Sequence, residues 1–326
     1  MKRLASLILL MLVGKIVSAQ QNIIFETDMG NDIDDALALD MLYKYADVGK
    51  IDLMAVMLNK EGIYPPQFID LLNTWYGYKH LPIGLSNRTV KSIVAGKNYT
   101  EHVVCLQDAK GESLYKRTVK HAERLPLASD LYRKLLSKAK DHSVTIVSVG
   151  FSTNLAQLLD TKPDKFSPLT GKELVASKVS RLVMMAGHIE NPSYAEYNVV
   201  NDIPSCQRVF DEWLTPIYIS PFELGQDILY PKKSIQEEWE QHHPIVQAYY
   251  NYLPNLEDRP TWDLTAVLFA VEPKQMFNVS QPGNITITPQ GYSHFTAAPQ
   301  GKHYFLTASP KQKECILQCF LSVSIR

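Results

Sequence analysis

In residues 23–45 an apolar run, a knot of acids and a helix-like apolar pattern follow one another without a break. Ile23-Ile24-Phe25 reads as a buried strand, and Ala36 to Tyr45 (ALALDMLYKY) as an amphipathic helix. Between them, residues 25–35 (FETDMGNDIDD) carry five carboxylates: Glu26, Asp28, Asp32, Asp34 and Asp35. A strand that ends on acids and opens directly into a helix is the connection of an α/β unit, with its polar groups at the strand's carboxyl end. The same stretch constrains chemistry. Carboxylates this close repel one another, and each loses hydration at a strand end unless a cation compensates. A hard divalent cation with oxygen ligands is the simplest compensation.

The pattern repeats along the chain. Strands are expected at Asn22–Thr27, Leu53–Leu58, Val144–Val149, Arg181–Ala186 and Ile217–Ile219. Amphipathic helices are expected near Asp34–Tyr45, Pro66–Tyr78, Asp130–Ala139, Thr153–Leu159 and Ile203–Trp213. This alternation predicts an α/β fold: a Rossmann-like open, mostly parallel sheet with helices on both faces. Ligands bind such sheets outside the carboxyl ends of the strands. The acids, Asn59, Ser152-Thr153-Asn154 and Gly187-His188 all fall at such ends. Beyond Leu229 the pattern turns helical over Ser234–Tyr252 and Asp263–Val271, then gives short β runs at Asn284–Thr288 and His303–Thr307 and a last helix, Pro310–Leu321. Leu85 to Glu123 reads as a long surface excursion, and His242 and His243 as surface residues of a polar helix.

With 326 residues, 45% hydrophobic and 21% charged, the chain suits one large α/β domain. A formal net charge of −1 gives no reason to expect nucleic acid or an anionic membrane as partner. Residues 1–19 read as a signal peptide: Lys2 and Arg3, an apolar core from Leu4 to Val13, and the small-residue site Val17-Ser18-Ala19 before Gln20. No later segment approaches the length needed to span a bilayer, so a secreted or periplasmic protein spanning residues 20–326 is expected. Cys105, Cys206, Cys315 and Cys319 allow three pairings if oxidised, although scattered buried thiols are the simpler expectation.

Three acid-rich metal motifs compete for the knot. An EF-hand counted from Asp28 needs Gly at its sixth position and Glu at its twelfth, where this chain has Ile33 and Leu39. A haloacid-dehalogenase-type phosphotransferase needs paired Asp residues where this chain has Glu26 and then Met29-Gly30. The third fits. The segment resembles the D-x-D-x-G-x-D-D-A signature of the inosine–uridine-preferring nucleoside hydrolases, which are calcium-dependent N-ribohydrolases. Further matches follow in order: Asn59, Gly150 to Ala156 (GFSTNLA), Ala195-Glu196-Tyr197-Asn198 with Asp202, and Asp263.

The resemblance implies Ca²⁺ as cofactor, Asp28 as a ligand and as general base on a water at the ion, and Asp34, Asp35, the Thr153 carbonyl and Asp263 as the other ligands. It implies that Asn59, Asn191, Glu196 and Asn198 hold the ribose hydroxyls, that the substrate is a nucleoside or related riboside used in salvage, and that the protein is a homo-oligomer. Chemistry agrees with that set, since clustered carboxylates stabilise an oxocarbenium-like transition state.

Three positions depart from the family pattern. Glu26 replaces an Asp. Three residues separate Gly30 from Asp34-Asp35 where the family has one, which makes Asp32 a rival ligand at the usual distance from Asp28. Trp262 stands where a leaving-group His precedes the Asp, and an indole cannot act as that acid, although it can stack on a base. Simpler readings stand beside these. Asp34 or Asp35, Thr153, Asp202 and Asp263 all suit helix caps, and Asp202 is read as one. A hydrolase of another glycoside, or a non-catalytic calcium-dependent sugar- or nucleoside-binding protein, would use the same residues.

Overall fold

The computed structural model describes residues 20–87, 98–272 and 276–324, so residues 1–19, read above as a signal peptide, lie outside it. Its centre is β1 (Gln21–Thr27), buried from Ile23 onward and flanked on both sides by parallel neighbours, β2 (Ile51–Leu58) and β4 (Val144–Ser148). With β3 (Ile83–Leu85), β5 (Val179–Met185), β6 (Ile217–Ser220) and β12 (His303–Thr307), the parallel order is β3-β2-β1-β4-β5-β6-β12. Three strands extend it antiparallel: β9 (Asn278–Val279) on β12, and the hairpin of β10 (Gly283–Ile287) and β11 (Ser293–Ala297). Leu229–Tyr230 (β7) and Arg259–Pro260 (β8) form a separate two-stranded ribbon.

The order reverses between β1 and β4, because the chain winds outward from β1 through β2 and β3 and then returns to β1's other side. Such a reversal opens a crevice at the strands' carboxyl ends. Alternate side chains feed two cores, as strand geometry requires. Ile23 and Phe25 pack with Val147 and Val183 under the helices Asp34–Asp47, Trp262–Val271 and Pro310–Ser324. Ile24 packs with Ile146 and Leu182 under Ala128–Leu136, Thr153–Asp160, Gly171–Lys178 and Ile203–Glu212. Both faces are therefore covered, which is why apolar residues stand next to one another in the strands, as in Ile23-Ile24-Phe25 and Leu53 to Leu58.

The five early strands and helices lie where the sequence places them, to within two or three residues at each end. The differences have local causes. Ser234–Tyr252 is two helices, Lys232–Glu237 and Pro244–Tyr252, because Pro244 lacks the N–H that a continuous helix needs and instead begins the second. His243 is that helix's N-cap and is buried; only His242 stays on the surface. The Leu85–Glu123 excursion, partly outside the described residues, contains the helix Tyr99–Val104. Its Tyr99 is fully buried against the acid loop. None of the four cysteines is in a disulfide, and only Cys206 is buried; Cys105 and Cys315 are exposed. No helix among the described residues is long and apolar enough to cross a membrane.

Candidate active site and metal centre

At the end of β1 the chain turns sharply. Gly30 has φ +106°, a region costly for other residues, and its N–H donates to the Tyr99 hydroxyl at 2.9 Å. The Tyr99 hydroxyl in turn donates to the Asp32 carbonyl at 2.7 Å, so the loop is held from outside itself. The turn delivers Asp34 and Asp35 to the first turn of the helix Asp34–Asp47, both almost fully buried. Thr27 links strand to helix: its hydroxyl donates to Asp35 Oδ1 and accepts from the Met29 N–H at 3.0 Å. From the far end of the chain, the helix Trp262–Val271 brings Asp263 alongside, and the Asp263 N–H donates to Asp34 Oδ2 at 3.0 Å.

Carboxylate oxygens of Asp34, Asp35 and Asp263 lie within 4.8 Å of one another. Asp28 is outside that triad but lines the same cavity, which has a volume of about 220 Å³. Burial is the first reason that all four carboxyls titrate above the ordinary range; Asp28 is pushed up to about 6. Mutual repulsion adds to it: Asp263 feels Asp34, Asp35 and Asp28. Hard oxygen donors, buried together with too little positive charge among them, fit a divalent metal ion.

Asp32 lines the same cavity but is engaged differently. Its carboxylate is engaged by Arg259, through Nε at 2.9 Å and through Nη2, and Tyr252 donates to it at 3.2 Å. Asp32 is thus an ion-pair partner of Arg259, whereas the carboxylates of Asp34 and Asp35 cluster with that of Asp263. Asp28 is oriented by a chain the sequence does not advertise. The Lys60 ammonium donates to Asn31 Oδ1, and Asn31 Nδ2 donates to Asp28 Oδ2.

Glu196, Asn198 and Trp262 line the cavity as expected. Glu196 caps a short helix, accepting from the N–H groups of Asn198 at 2.8 Å, Gly187 at 3.0 Å and Val199 at 3.3 Å. Burial still pushes its carboxyl up to about 7. Asn198 Nδ2 donates to the carbonyls of Val149 at 2.9 Å and Met185 at 3.1 Å, tying this wall to the ends of β4 and β5. Trp262 stacks on Phe222 at 5.4 Å between ring centroids, and the Arg259 guanidinium lies 5.1 Å from the indole.

Three expected site residues are not on the cavity wall. Asn59 is fully buried behind it, its amide donating to Glu26 at 3.3 Å and accepting from the Phe151 N–H at 3.1 Å. Thr153 starts its helix with its hydroxyl turned to Asp202 at 2.5 Å. Asn191 is exposed, with its side chain closing a turn onto the Ser193 N–H. Asp202 is the cap the sequence suggests. Glu26 lies behind the site with Asn59 and Tyr132, and burial raises its carboxyl to about 8. Sequence reasoning missed Asn31, Lys60, Phe222, Tyr252 and Arg259. The only signal was position: Asn31 within the acid knot, Lys60 directly after Asn59, and Arg259 four residues before Asp263.

Comparisons with known proteins agree with this geometry. The family profile described as inosine-uridine preferring nucleoside hydrolase matches residues 23–314. A search of curated proteins returns no significant match. Among solved structures, the inosine-guanosine nucleoside hydrolase superposes with a TM-score of 0.70 at 16% identity, covering 93% of this chain and 98% of that one. The purine-preferring ribonucleoside hydrolase from Gardnerella vaginalis gives 0.69 at 16%, covering 94% and 99%. The inosine-uridine preferring nucleoside hydrolase from Bacillus anthracis gives 0.66 at 16%, covering 93% and 99%. At these identities the superpositions establish the fold, and the profile match establishes the family. The chain belongs to the inosine-uridine preferring nucleoside hydrolases, a family of N-glycosyl hydrolases.

Proposed function

We propose that this protein hydrolyses the N-glycosidic bond of a ribonucleoside or closely related riboside, with Ca²⁺ as its cofactor. The observation that carries the reading is the buried Asp34–Asp35–Asp263 triad in a cavity shared with Asp28 and walled by Phe222 and Trp262. Carboxylates alone favour Ca²⁺ over softer metals. Bound there, the cation would orient a water and the sugar's vicinal hydroxyls and lower the water's pKa.

The chain's own residues supply the rest. Asp28, held through Oδ2 by Asn31, takes the proton of the attacking water. Asn198 has its amide nitrogen committed to two carbonyls, so its Oδ1 is left to accept from a sugar hydroxyl. Glu196 is fixed by three N–H groups and offers its remaining lone pairs to the same sugar. The ring of negative groups stabilises positive charge growing at the anomeric carbon. Phe222 and Trp262 form a flat aromatic wall suited to a nucleobase. The reading extends to export: residues 1–19 would be removed, leaving Gln20 as the first residue of a scavenging enzyme.

The test is release of ribose from a nucleoside panel with added Ca²⁺, with Asp28→Ala and a chelator as controls. Turnover that is abolished by both supports the reading. Tight nucleoside binding with no turnover across the panel would replace it with a binding function, and turnover surviving both controls would remove the mechanism.

A further inference from the structure

When a nucleoside is cleaved, the departing base takes the electron pair of the glycosidic bond and must be met by a proton or a positive charge. No histidine lines the cavity among the described residues. Trp262 offers only its Nε1–H, which is buried and points at no acceptor. His243 is occupied by Tyr76, and His188, which stacks on Phe222 and meets Glu223, does not itself line the cavity. Asn198 has committed both amide N–H groups to carbonyls, and Asn31 spends one on Asp28 and, as a neutral amide, carries no positive charge.

Among the described residues, one cation lines the cavity. Arg259 is clamped by Asp32 through Nε and Nη2, donates from Nη2 to the Tyr252 hydroxyl at 3.2 Å, and lies over the rings of Trp262 at 5.1 Å and Tyr252 at 5.3 Å. Its Nη1 has no acceptor among the described residues. A guanidinium held on two edges and two ring faces presents its last N–H groups in a defined direction, and this one does so beside the aromatic wall.

We infer that Arg259 is a catalytic residue that receives the leaving base: Nη1–H hydrogen-bonds the departing heterocycle and stabilises its negative charge, in place of a general acid. Asp32 and Tyr252 are positioning residues for it. The assignment rests on the nucleoside-hydrolase reading above. The C1′–N bond breaks with its electron pair passing to the base. Water adds its oxygen to C1′ and gives a proton to Asp28. The guanidinium keeps its own protons, so the base anion takes a proton from solvent water as it leaves, and the hydroxide so formed neutralises the proton shed by Asp28. A phosphate-binding role suits the site less well. Asp32 balances Arg259, and the remaining wall carries Asp28, Asp34, Asp35, Glu196 and Asp263, which repel a phosphate.

The deciding experiment compares inosine with p-nitrophenyl β-ribofuranoside, whose phenolate leaves without help. In Ca²⁺-loaded protein, Arg259→Gln should lower kcat on inosine by about 100-fold or more, the usual loss for one transition-state donor, and change kcat on the nitrophenyl riboside by less than about threefold. Arg259→Lys should recover part of the inosine rate. Circular dichroism and thermal melting establish folding. Should Arg259→Gln fail to fold, Asp32→Asn, which loosens the clamp and leaves the guanidinium, must show the same bias toward the activated substrate at about 10-fold. Equal losses on both substrates, or no loss on inosine, would overturn the assignment and leave the hydrolase reading standing. Wild-type protein that cleaves neither substrate would remove both.

Discussion

The backbone N–H of Asp263 donates to the carboxylate of Asp34 at 3.0 Å, joining residues 229 positions apart in the chain. One hydrogen bond thus registers two helices against each other. It also brings two acids to a distance at which neither tolerates its charge well without a cation. The site is built against its own electrostatics.

That conflict predicts opposite stability effects with and without metal. Asp35→Asn removes a buried charge that Asp28 and Asp34 repel, while the new amide oxygen can still accept from Thr27. In chelator the variant should melt higher than wild type, by about 1 kcal/mol or about 2 °C. Saturating Ca²⁺ should stabilise wild type by about 2.7 kcal/mol at one hundred times Kd and the variant by far less. Differential scanning calorimetry with and without Ca²⁺ reads both effects.

Trp262→Ala should lower kcat/KM for purine nucleosides by about 10- to 100-fold, the usual worth of one base stacked on an aromatic ring. Phe222 would remain as half of the wall. Metal affinity should not change, because the indole contributes no ligand. Steady-state kinetics beside calorimetric Ca²⁺ titration separates the two quantities, and a loss of Ca²⁺ binding would contradict this picture of the wall.

Gly150→Ala should damage the site from behind. A Cβ there would lie 2.6 Å from both Asn59 Oδ1 and the Asp28 backbone nitrogen. Asn59 is locked between Glu26 and the Phe151 N–H, so it cannot move aside freely. The expected cost is about 1–3 kcal/mol of stability together with weaker Ca²⁺ binding. Urea unfolding and Ca²⁺ titration of the same preparation measure both.

His243 sets an acid limit on stability that is independent of catalysis. Its Nδ1 accepts from the Ile245 N–H at 3.2 Å, and Nε2 meets the Tyr76 hydroxyl at 3.0 Å, an arrangement that assigns the neutral ring. Burial against Trp75 and Trp239 lowers its pKa to about 3. Below pH 6.5 the unfolded chain takes up a proton that the native one refuses. Stability that is complete above pH 6.5 is therefore lost as the pH falls toward 3, at about 1.4 kcal/mol per unit. His243→Asn keeps a capping group without the titration, so between pH 6.5 and 5.5 it should lose about 1 kcal/mol less than wild type in urea denaturation.

Much of the architecture was legible because it is written in local periodicity. Ile23-Ile24-Phe25 and Ile146-Val147 are consecutive apolar residues since helices cover both sheet faces, and Ala36 to Tyr45 is apolar except at Asp40 and Lys44, so its helix is buried almost all round. Pro244 breaks a helix that composition alone would continue. The hairpin of β10 and β11 was half seen: Ser293–Ala297 is an edge strand with mostly solvent-facing residues and little apolar signal.

The sequence by itself determined the acid knot, its place at the end of a strand, and the family to which its motifs point. Those are properties of adjacent residues, and adjacency survives in one dimension. Only the tertiary structure decided which acids share a centre. Asp32 and Asp34 are two positions apart and chemically alike, yet Arg259 claims the first and Asp263 meets the second. Charge compensation depends on distance in space, and the partners that settle it arrive from more than two hundred residues away.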